Sequence, residues 1–246
     1  MNGRRVMRIT GTLLLAAGVV LLVWVLVVWR WQDPFTALYT TWKQHQLSQS
    51  YDRRAEAFRL PDPKSKAAAS GIVTAGQIRM LARRYRLGTE RGQAVGRIRV
   101  PRLGLSMVVV DGTDHESLMR GPGLDRRTYM PGEGQLVYIA GHRTTYLAPF
   151  AQIQRIKVGD QVSLELPYGT FRYRVFKHKV VGANDLAVLK SHGREVVELQ
   201  ACHPRFFASN RYLVYARLVR IDPRGAPPIT PPARTLAAAP LASAQG

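Results

Sequence analysis

The hydrophobic positions change their spacing along the chain in a way that divides it into three parts. Residues 9–29 form an uncharged apolar run, long enough for a membrane-spanning helix, which needs about 20 apolar residues. Over residues 32–60 large apolar side chains recur at helical spacing, and Pro34 suits the first turn of a helix. From about residue 94 the chain consists of short β-rich runs separated by Gly, Pro and Asp.

The third part predicts an all-β domain. The predicted strands are 96–100, 106–110, 135–140, 161–166, 170–181, 196–201 and 212–219, and short helices are predicted at 76–85, 114–119 and 147–156. Seven or eight short strands with few helices favour a closed β-barrel, because closure leaves no exposed sheet edge.

These patterns give a domain organisation. We expect a cytoplasmic N-terminus (1–8), a transmembrane anchor (9–29), a helical stalk and linker (30–92), a β-barrel domain (93–222) and a disordered Pro/Ala-rich tail (223–246). Within the second segment, Pro61-Asp62-Pro63 breaks the helical pattern and 64–71 is rich in small residues. The pattern leaves open whether the stalk contacts the barrel or only tethers it.

The apolar run at 9–29 is interpreted as a retained anchor. A cleaved signal peptide is the alternative, but its apolar core is usually about 7–15 residues and is followed by a small-residue cleavage site. Arg30, Asp33 and Pro34 follow this run, which offers no such site. Arg4, Arg5 and Arg8 precede it, and positive charge near a span stays inside. We therefore expect a single-pass plasma-membrane protein with its barrel domain outside the cell.

The chain is strongly basic, with 36 Lys+Arg against 16 Asp+Glu and a formal net charge of +20. The charge is spread along the sequence, with its densest run at 79–91. Nucleic-acid binding favours a concentrated stripe with interleaved aromatic residues, so no nucleic-acid partner is expected. The alternatives are an anionic envelope partner, either lipid head groups or acidic wall polymers, and a solvated basic face.

Cys202 is the single cysteine of the chain, which excludes an intrachain disulfide and a multi-cysteine metal site. It is a buried small residue, an intermolecular cross-linker or a nucleophile. It ends a predicted strand, and Pro204 follows two residues later, where it stops strand pairing. A residue at a strand end projects toward the barrel rim, where a substrate can reach it.

Two further residues have positions that suit catalysis with this thiol. A free thiol has a pKa of about 8.5 and needs a partner to become a good nucleophile. His142 follows a predicted strand and Gly141, so among the six histidines it stands at a strand-to-loop junction. Arg211 begins the strand after Cys202. An antiparallel return would bring its guanidinium beside the sulfur, where it can stabilise an oxyanion.

These residues resemble the pattern of the sortases, the cell-wall transpeptidases of Gram-positive bacteria. The resemblance rests on Gly141-His142-Arg143-Thr144-Thr145-Tyr146, on Cys202-His203-Pro204 and on Arg211, and it spans about residues 94–220. It is closest to class E, which is common in actinobacteria. The family implies an eight-stranded β-barrel, an N-terminal membrane anchor and a His–Cys–Arg site formed by His142, Cys202 and Arg211.

The resemblance also suggests candidate substrate contacts. Arg143 and Tyr146 follow the candidate histidine, and aromatic loop residues often shape pockets. The family usually has Thr-Leu-x-Thr before the cysteine, whereas Glu198-Leu199-Gln200-Ala201 precedes Cys202 here. Loss of a hydroxyl at Ala201 puts substrate contacts at that position in doubt.

The function implied by the family is cleavage of a sorting motif of the Leu-Pro-x-Thr-Gly or Leu-Ala-x-Thr-Gly kind near the C-terminus of an exported protein. A thioacyl intermediate on the cysteine is then transferred to an amine of a cell-wall peptide or precursor. No cofactor or metal is expected. The alternatives are a catalytically silent barrel that binds the envelope through its charge, and a pilin-polymerising sortase that uses the same site with another amine.

Overall fold

The computed structural model describes residues 3–31, 34–60 and 74–231. The helices are α1 (Gly3–Trp31), α2 (Pro34–Ala57), α3 (Ala75–Leu87) and α4 (His115–Arg120). The strands are β1 (Ala94–Val100), β2 (Leu105–Asp111), β3 (Gly123–Leu124), β4 (Leu136–Ala140), β5 (Gln161–Leu166), β6 (Gly169–Gly182), β7 (Val196–His203) and β8 (Asn210–Pro223). The predicted break at 61–63 and linker at 64–71 lie outside the described residues.

The eight strands close into one barrel in the order β1-β2-β3-β4-β7-β8-β6-β5. β2 pairs with β3 and β4 pairs with β7 in parallel, and the other pairs are antiparallel. The predicted barrel is therefore confirmed, and all seven predicted strands are present. The additional strand, β3, has two residues, too few to show an alternating pattern.

The barrel interior is packed with apolar side chains from alternate positions of the strands. Val197, Leu199 and Ala201 of β7 belong to this core, together with Val137 and Ile139 of β4. Successive side chains of a strand point to opposite faces. The even-numbered residues of β7 therefore lie on the outer face of the barrel.

α1 is, among the residues that the structure describes, the one helix long and apolar enough to cross a membrane. Its segment Gly3–Val27 has 25 residues, and the most apolar 18-residue window in it has a mean hydropathy of 2.5. These are properties of length and composition, and they are compatible with a single-pass anchor.

α2 begins at Pro34 as predicted, and it packs against the barrel. The Gln44 side chain donates to the carbonyls of Val108 (3.0 Å) and Arg120 (2.7 Å) and accepts from the Val108 amide (2.7 Å). Further along the helix, the Tyr51 hydroxyl donates to the Glu165 carbonyl at 3.1 Å. The question left open by the sequence is thus answered, because α2 docks onto β1, β2 and β5.

The predicted helix at 147–156 is wrong, and backbone conformation explains why. Tyr146, Leu147 and Ala148 all have positive φ values, of 53°, 58° and 36°, which a right-handed helix cannot include. Pro149 also disfavours the α conformation of the residue before it. Only a 3₁₀ turn at Ile153–Arg155 remains of the predicted element. The helix predicted at 114–119 is present as α4, with Asp114 accepting from the Ser117 amide as its cap.

β8 continues to Pro223, and Ile229 exchanges backbone hydrogen bonds of 2.9 and 2.8 Å with Ile221. The chain therefore returns to the barrel after its last strand. Residues 232–246 of the predicted disordered tail lie outside the described residues.

Docking of α2 predicts that Gln44→Ala destabilises the protein. The substitution removes three hydrogen bonds to main-chain groups, and each contributes about 0.5–1.5 kcal/mol net. We expect the free energy of unfolding to fall by about 1.5–4.5 kcal/mol in urea denaturation of the detergent-solubilised chain. Gln49→Ala is the control, because Gln49 is exposed and bonds to His45 on the same helix. Equal stability of the two variants would contradict the docking energetics.

Candidate active site

The strand register aligns the candidate histidine with the candidate nucleophile. β4 and β7 run in parallel with Ala140 opposite Gln200, and the Gly141 amide continues the ladder by donating to the Gln200 carbonyl at 3.0 Å. His142 lies two residues beyond Ala140, and Cys202 lies two residues beyond Gln200. The two residues therefore occupy corresponding positions on neighbouring segments.

Arg211 completes the row on the other side of β7. β7 and β8 are antiparallel, and Cys202 pairs directly with Arg211. Directly opposed residues of such a pair have Cβ atoms about 4.5–5.5 Å apart. The three residues named by the sequence pattern thus stand on three adjacent segments at one level of the barrel.

This row lies on the outer face of the barrel. Ala201 is completely buried in the barrel core, so Cys202 and its pairing partner Arg211 face the other way, and Cys202 is partly exposed. Ala201 is therefore not a substrate contact, since its methyl group faces the interior. The missing hydroxyl at this position changes core packing rather than the cleft.

The loop that carries His142 is held by a close approach of aromatic and backbone atoms. A Cβ atom on Gly141 would lie 2.6 Å from the Phe150 ring, so only glycine lets this ring pack there. Phe150 is fully buried, and its amide donates to the His142 carbonyl at 3.1 Å. The position of the imidazole is thereby tied to the barrel core.

The His142 ring is buried enough to favour its neutral form. Its Nε2 atom is buried and has no hydrogen-bond partner in the described part of the chain. Burial lowers the pKa of His142, and the nearby charge of His115 lowers it further. At neutral pH the imidazole is therefore mostly uncharged.

Tyr146 lies between two histidines. Its ring centroid is 5.1 Å from that of His142 and 6.4 Å from that of His115. His115 is exposed at the start of α4, yet it lowers the pKa of the candidate catalytic histidine. No sequence motif predicts this effect of His115 on His142, because the two residues come close to each other only in the folded protein.

Arg143 is buried and fixes the end of β7. It is 6% exposed, and its Nη1 atom donates to the Cys202 carbonyl at 3.0 Å and to His203 Nδ1 at 2.9 Å. Its Nη2 atom donates to Gln154 Oε1 at 2.9 Å. Since arginine only donates, His203 Nδ1 accepts, and the proton of the neutral ring is on Nε2. We expected Arg143 to contact substrate, but the structure shows it buried and bonded to the end of β7 and to Gln154.

Arg211 is positioned by the loop between β7 and β8. Its Nη1 atom donates to the carbonyls of Ala208 (2.7 Å) and Asn210 (3.0 Å). Ala208 itself has a positive φ of 54°. A guanidinium has five N–H donors in a fixed fork, so anchoring through Nη1 restrains the orientation of the whole group on the residue that pairs with Cys202.

The contacts of Arg143 predict a loss of stability when the side chain is replaced. Arg143→Met leaves the Cys202 carbonyl and His203 without their donor, and we expect the free energy of unfolding to fall by about 2–3 kcal/mol. Urea denaturation of the solubilised chain measures it. Arg155→Met, at an exposed position close by, serves as the control with a change below about 0.5 kcal/mol. A stable Arg143→Met protein would show that these hydrogen bonds contribute little.

Comparison with known proteins agrees with this geometry. Residues 98–219 match the family model of the sortase domain. Sortase D of Bacillus subtilis (strain 168) is 33% identical over 134 residues, which are 53% of this chain and 66% of that protein. Sortase SrtE1 of Streptomyces coelicolor is 27% identical over 154 residues, covering 55% of this chain and 43% of the relative. The chain thus matches less than two thirds of the length of either curated relative.

A solved structure supports the same assignment. Sortase E from Streptomyces avermitilis superposes with a TM-score of 0.50 at 27% identity, and the match covers 56% of this chain and 97% of that chain. Family model, curated relatives and barrel topology all concern the segment that carries His142, Cys202 and Arg211. Residues 98–219 are a sortase domain, and the chain belongs to the sortase family.

Proposed function

We propose that this protein is a membrane-anchored, class E-like sortase. It cleaves a sorting motif of the Leu-Pro-x-Thr-Gly or Leu-Ala-x-Thr-Gly kind in exported proteins and transfers them to a cell-wall amine. The observation that carries the proposal is the row of His142, Cys202 and Arg211 on adjacent segments of the barrel. Similarity to sortases, which are cysteine transpeptidases, supports it.

The first half of the reaction forms a thioester. The Cys202 thiolate bonds to the carbonyl carbon of the motif threonine, and the guanidinium of Arg211 stabilises the resulting oxyanion. The bond between threonine and glycine then breaks. The His142 imidazolium gives its proton to the leaving glycine nitrogen.

The second half transfers the acyl group. An amine of a wall peptide or precursor attacks the thioester carbon, and neutral His142 accepts the proton that the amine loses. The carbon–sulfur bond breaks, a new peptide bond remains and the thiolate is regenerated. His142 thus acts as acid and then as base within one turnover.

The protonation states of Cys202 and His142 make turnover slow. Catalysis needs a thiolate beside an imidazolium, whereas burial lowers the pKa of His142 and favours its neutral form. A small fraction of the enzyme is therefore in the reactive state at neutral pH. Slow turnover follows from the same burial that positions the ring.

The proposed placement in the membrane is supported by α1 and by the arginines near its start. The apolar segment Gly3–Val27 anchors the chain, and the arginines at its start favour a cytoplasmic N-terminus. The sortase domain is then outside the cell, where exported proteins and wall amines are found. Class E is supported by the two Streptomyces relatives, while the Bacillus relative is a Sortase D.

The proposal predicts that one thiol accounts for all activity. Cys202→Ala abolishes cleavage of Leu-Pro-x-Thr-Gly and Leu-Ala-x-Thr-Gly peptides by the full-length chain in detergent, and wild-type enzyme accumulates a thioester that mass spectrometry detects. Arg211→Lys lowers kcat by about 10²–10³ because it loses the oriented fork. Arg220→Lys is the control, since exposed Arg220 on the same strand bonds to Asp222. Cleavage by Cys202→Ala would instead favour the silent, envelope-binding alternative.

A second prediction concerns the pH dependence of kcat/KM. The acid limb of the bell-shaped profile reports the pKa of His142 in the free enzyme. His115 lowers that pKa, so His115→Ala raises it and moves the acid limb to higher pH. Exposed His192 supplies the matched control, because its replacement by Ala leaves the limb in place. An acid limb that does not move in His115→Ala would exclude the coupling.

A further inference from the structure

The outer face that carries Cys202 also carries a buried carboxyl group that the reaction does not use. Glu198 lies on β7, four residues before Cys202, and on the same face of the strand. Its cross-strand neighbours are Tyr138 on β4 and Tyr215 on β8. The row Tyr138–Glu198–Tyr215 therefore runs parallel to the row that carries the nucleophile.

The carboxyl group of Glu198 is buried, and only part of its hydrogen-bonding capacity is used in the described residues. Glu198 is 1% exposed, and its Oε1 atom has no hydrogen-bond partner in the described residues. Burial raises the pKa of Glu198 to about 8, with Lys179 opposing and Asp185 adding to the shift. A buried polar atom without a partner is uncommon in folded proteins and requires an explanation.

The spacing relates this carboxyl group to a bound substrate. A strand rises about 3.3 Å per residue, so four residues separate Glu198 from Cys202 by about 13 Å. An extended peptide whose threonine is bonded to Cys202 spans the same distance in four residues. If the peptide follows β7, the residue over Glu198 is the one that immediately precedes the motif leucine.

We propose that Glu198 is a specificity determinant that binds a lysine or arginine side chain at the residue preceding the sorting motif. This inference rests on the proposed function, because it names a further feature of the same substrate. The long stems of these side chains reach a carboxyl group that lies below the surface. Their N–H groups supply the hydrogen bonds that Oε1 lacks.

Charge explains why a basic partner is selected there. The chain carries a net charge of +20, so its general field disfavours a basic peptide. A carboxyl group beneath the outer face reverses this preference locally. On binding, the cation favours the ionised carboxylate, and Glu198 releases its proton to solvent.

The test compares two peptides that differ only in one ammonium group. Each carries the motif that the enzyme cleaves, preceded by either lysine or its uncharged isostere norleucine. We expect full-length wild-type protein in detergent to favour the lysine peptide by about tenfold in kcat/KM, as one charge-assisted contact would give. Glu198→Gln keeps the side-chain shape and brings the ratio close to one. Glu116→Gln, at an exposed position on α4, leaves the ratio unchanged.

The outcomes separate this inference from the proposed function. Equal cleavage of both peptides by wild-type protein, or the same preference in Glu198→Gln, overturns the specificity role while the sortase activity stands. If neither peptide is cleaved and no thioester forms on Cys202, the proposed function fails and the inference fails with it. A melting temperature measured for each variant confirms that the protein is folded. The ratio of kcat/KM for the two peptides does not depend on what fraction of the protein is active, because the same sample is used for both.

Discussion

The parallel pairing of β4 with β7 determines where the chemistry of this protein can occur. Parallel strands end at the same edge of a sheet, so the residue that follows β4 and the residue that ends β7 lie side by side. Antiparallel pairing would place His142 and Cys202 at opposite ends of the barrel. The antiparallel β7–β8 pair then adds Arg211 directly opposite the cysteine. Three residues that are distant in sequence thus depend on two strand registers.

Much of the fold was predictable because β6 and β7 alternate between apolar and polar positions over much of their length, and their interior residues belong to the core. The two-residue strand β3 could not be predicted, since it has no pattern of its own. The helix predicted at 147–156 failed because positive φ values at 146–148 depend on how the loop packs around Phe150. Among the site residues, His142, Cys202 and Arg211 stood at strand ends that the pattern indicates. The burial of Arg143 and Glu198 could not be predicted, because it depends on tertiary contacts that the hydrophobic pattern does not encode.

The two arginines near the thiol illustrate how one residue type takes two roles. Arg143 donates to the Cys202 carbonyl from a buried position, and burial together with Arg205 lowers its pKa. Arg211 is anchored by loop carbonyls through one nitrogen, and it pairs with Cys202 across the two strands. One guanidinium therefore fixes the backbone at Cys202, and the other is the one that we propose as the oxyanion stabiliser. The sequence predicted a role for Arg211 from its place at the start of the strand after Cys202. It did not predict the buried position of Arg143, which depends on tertiary contacts.

Desolvation acts on the cleft residues in one direction, toward neutral forms. It lowers the pKa of His142 and raises that of Glu198, so both groups favour their uncharged forms before substrate binds. A peptide that enters such a cleft excludes water and strengthens every electrostatic contact made there. In the proposed mechanism, the oxyanion forms beside the guanidinium of Arg211. The burial that keeps the thiolate–imidazolium pair rare then also strengthens the contacts made once that pair reacts.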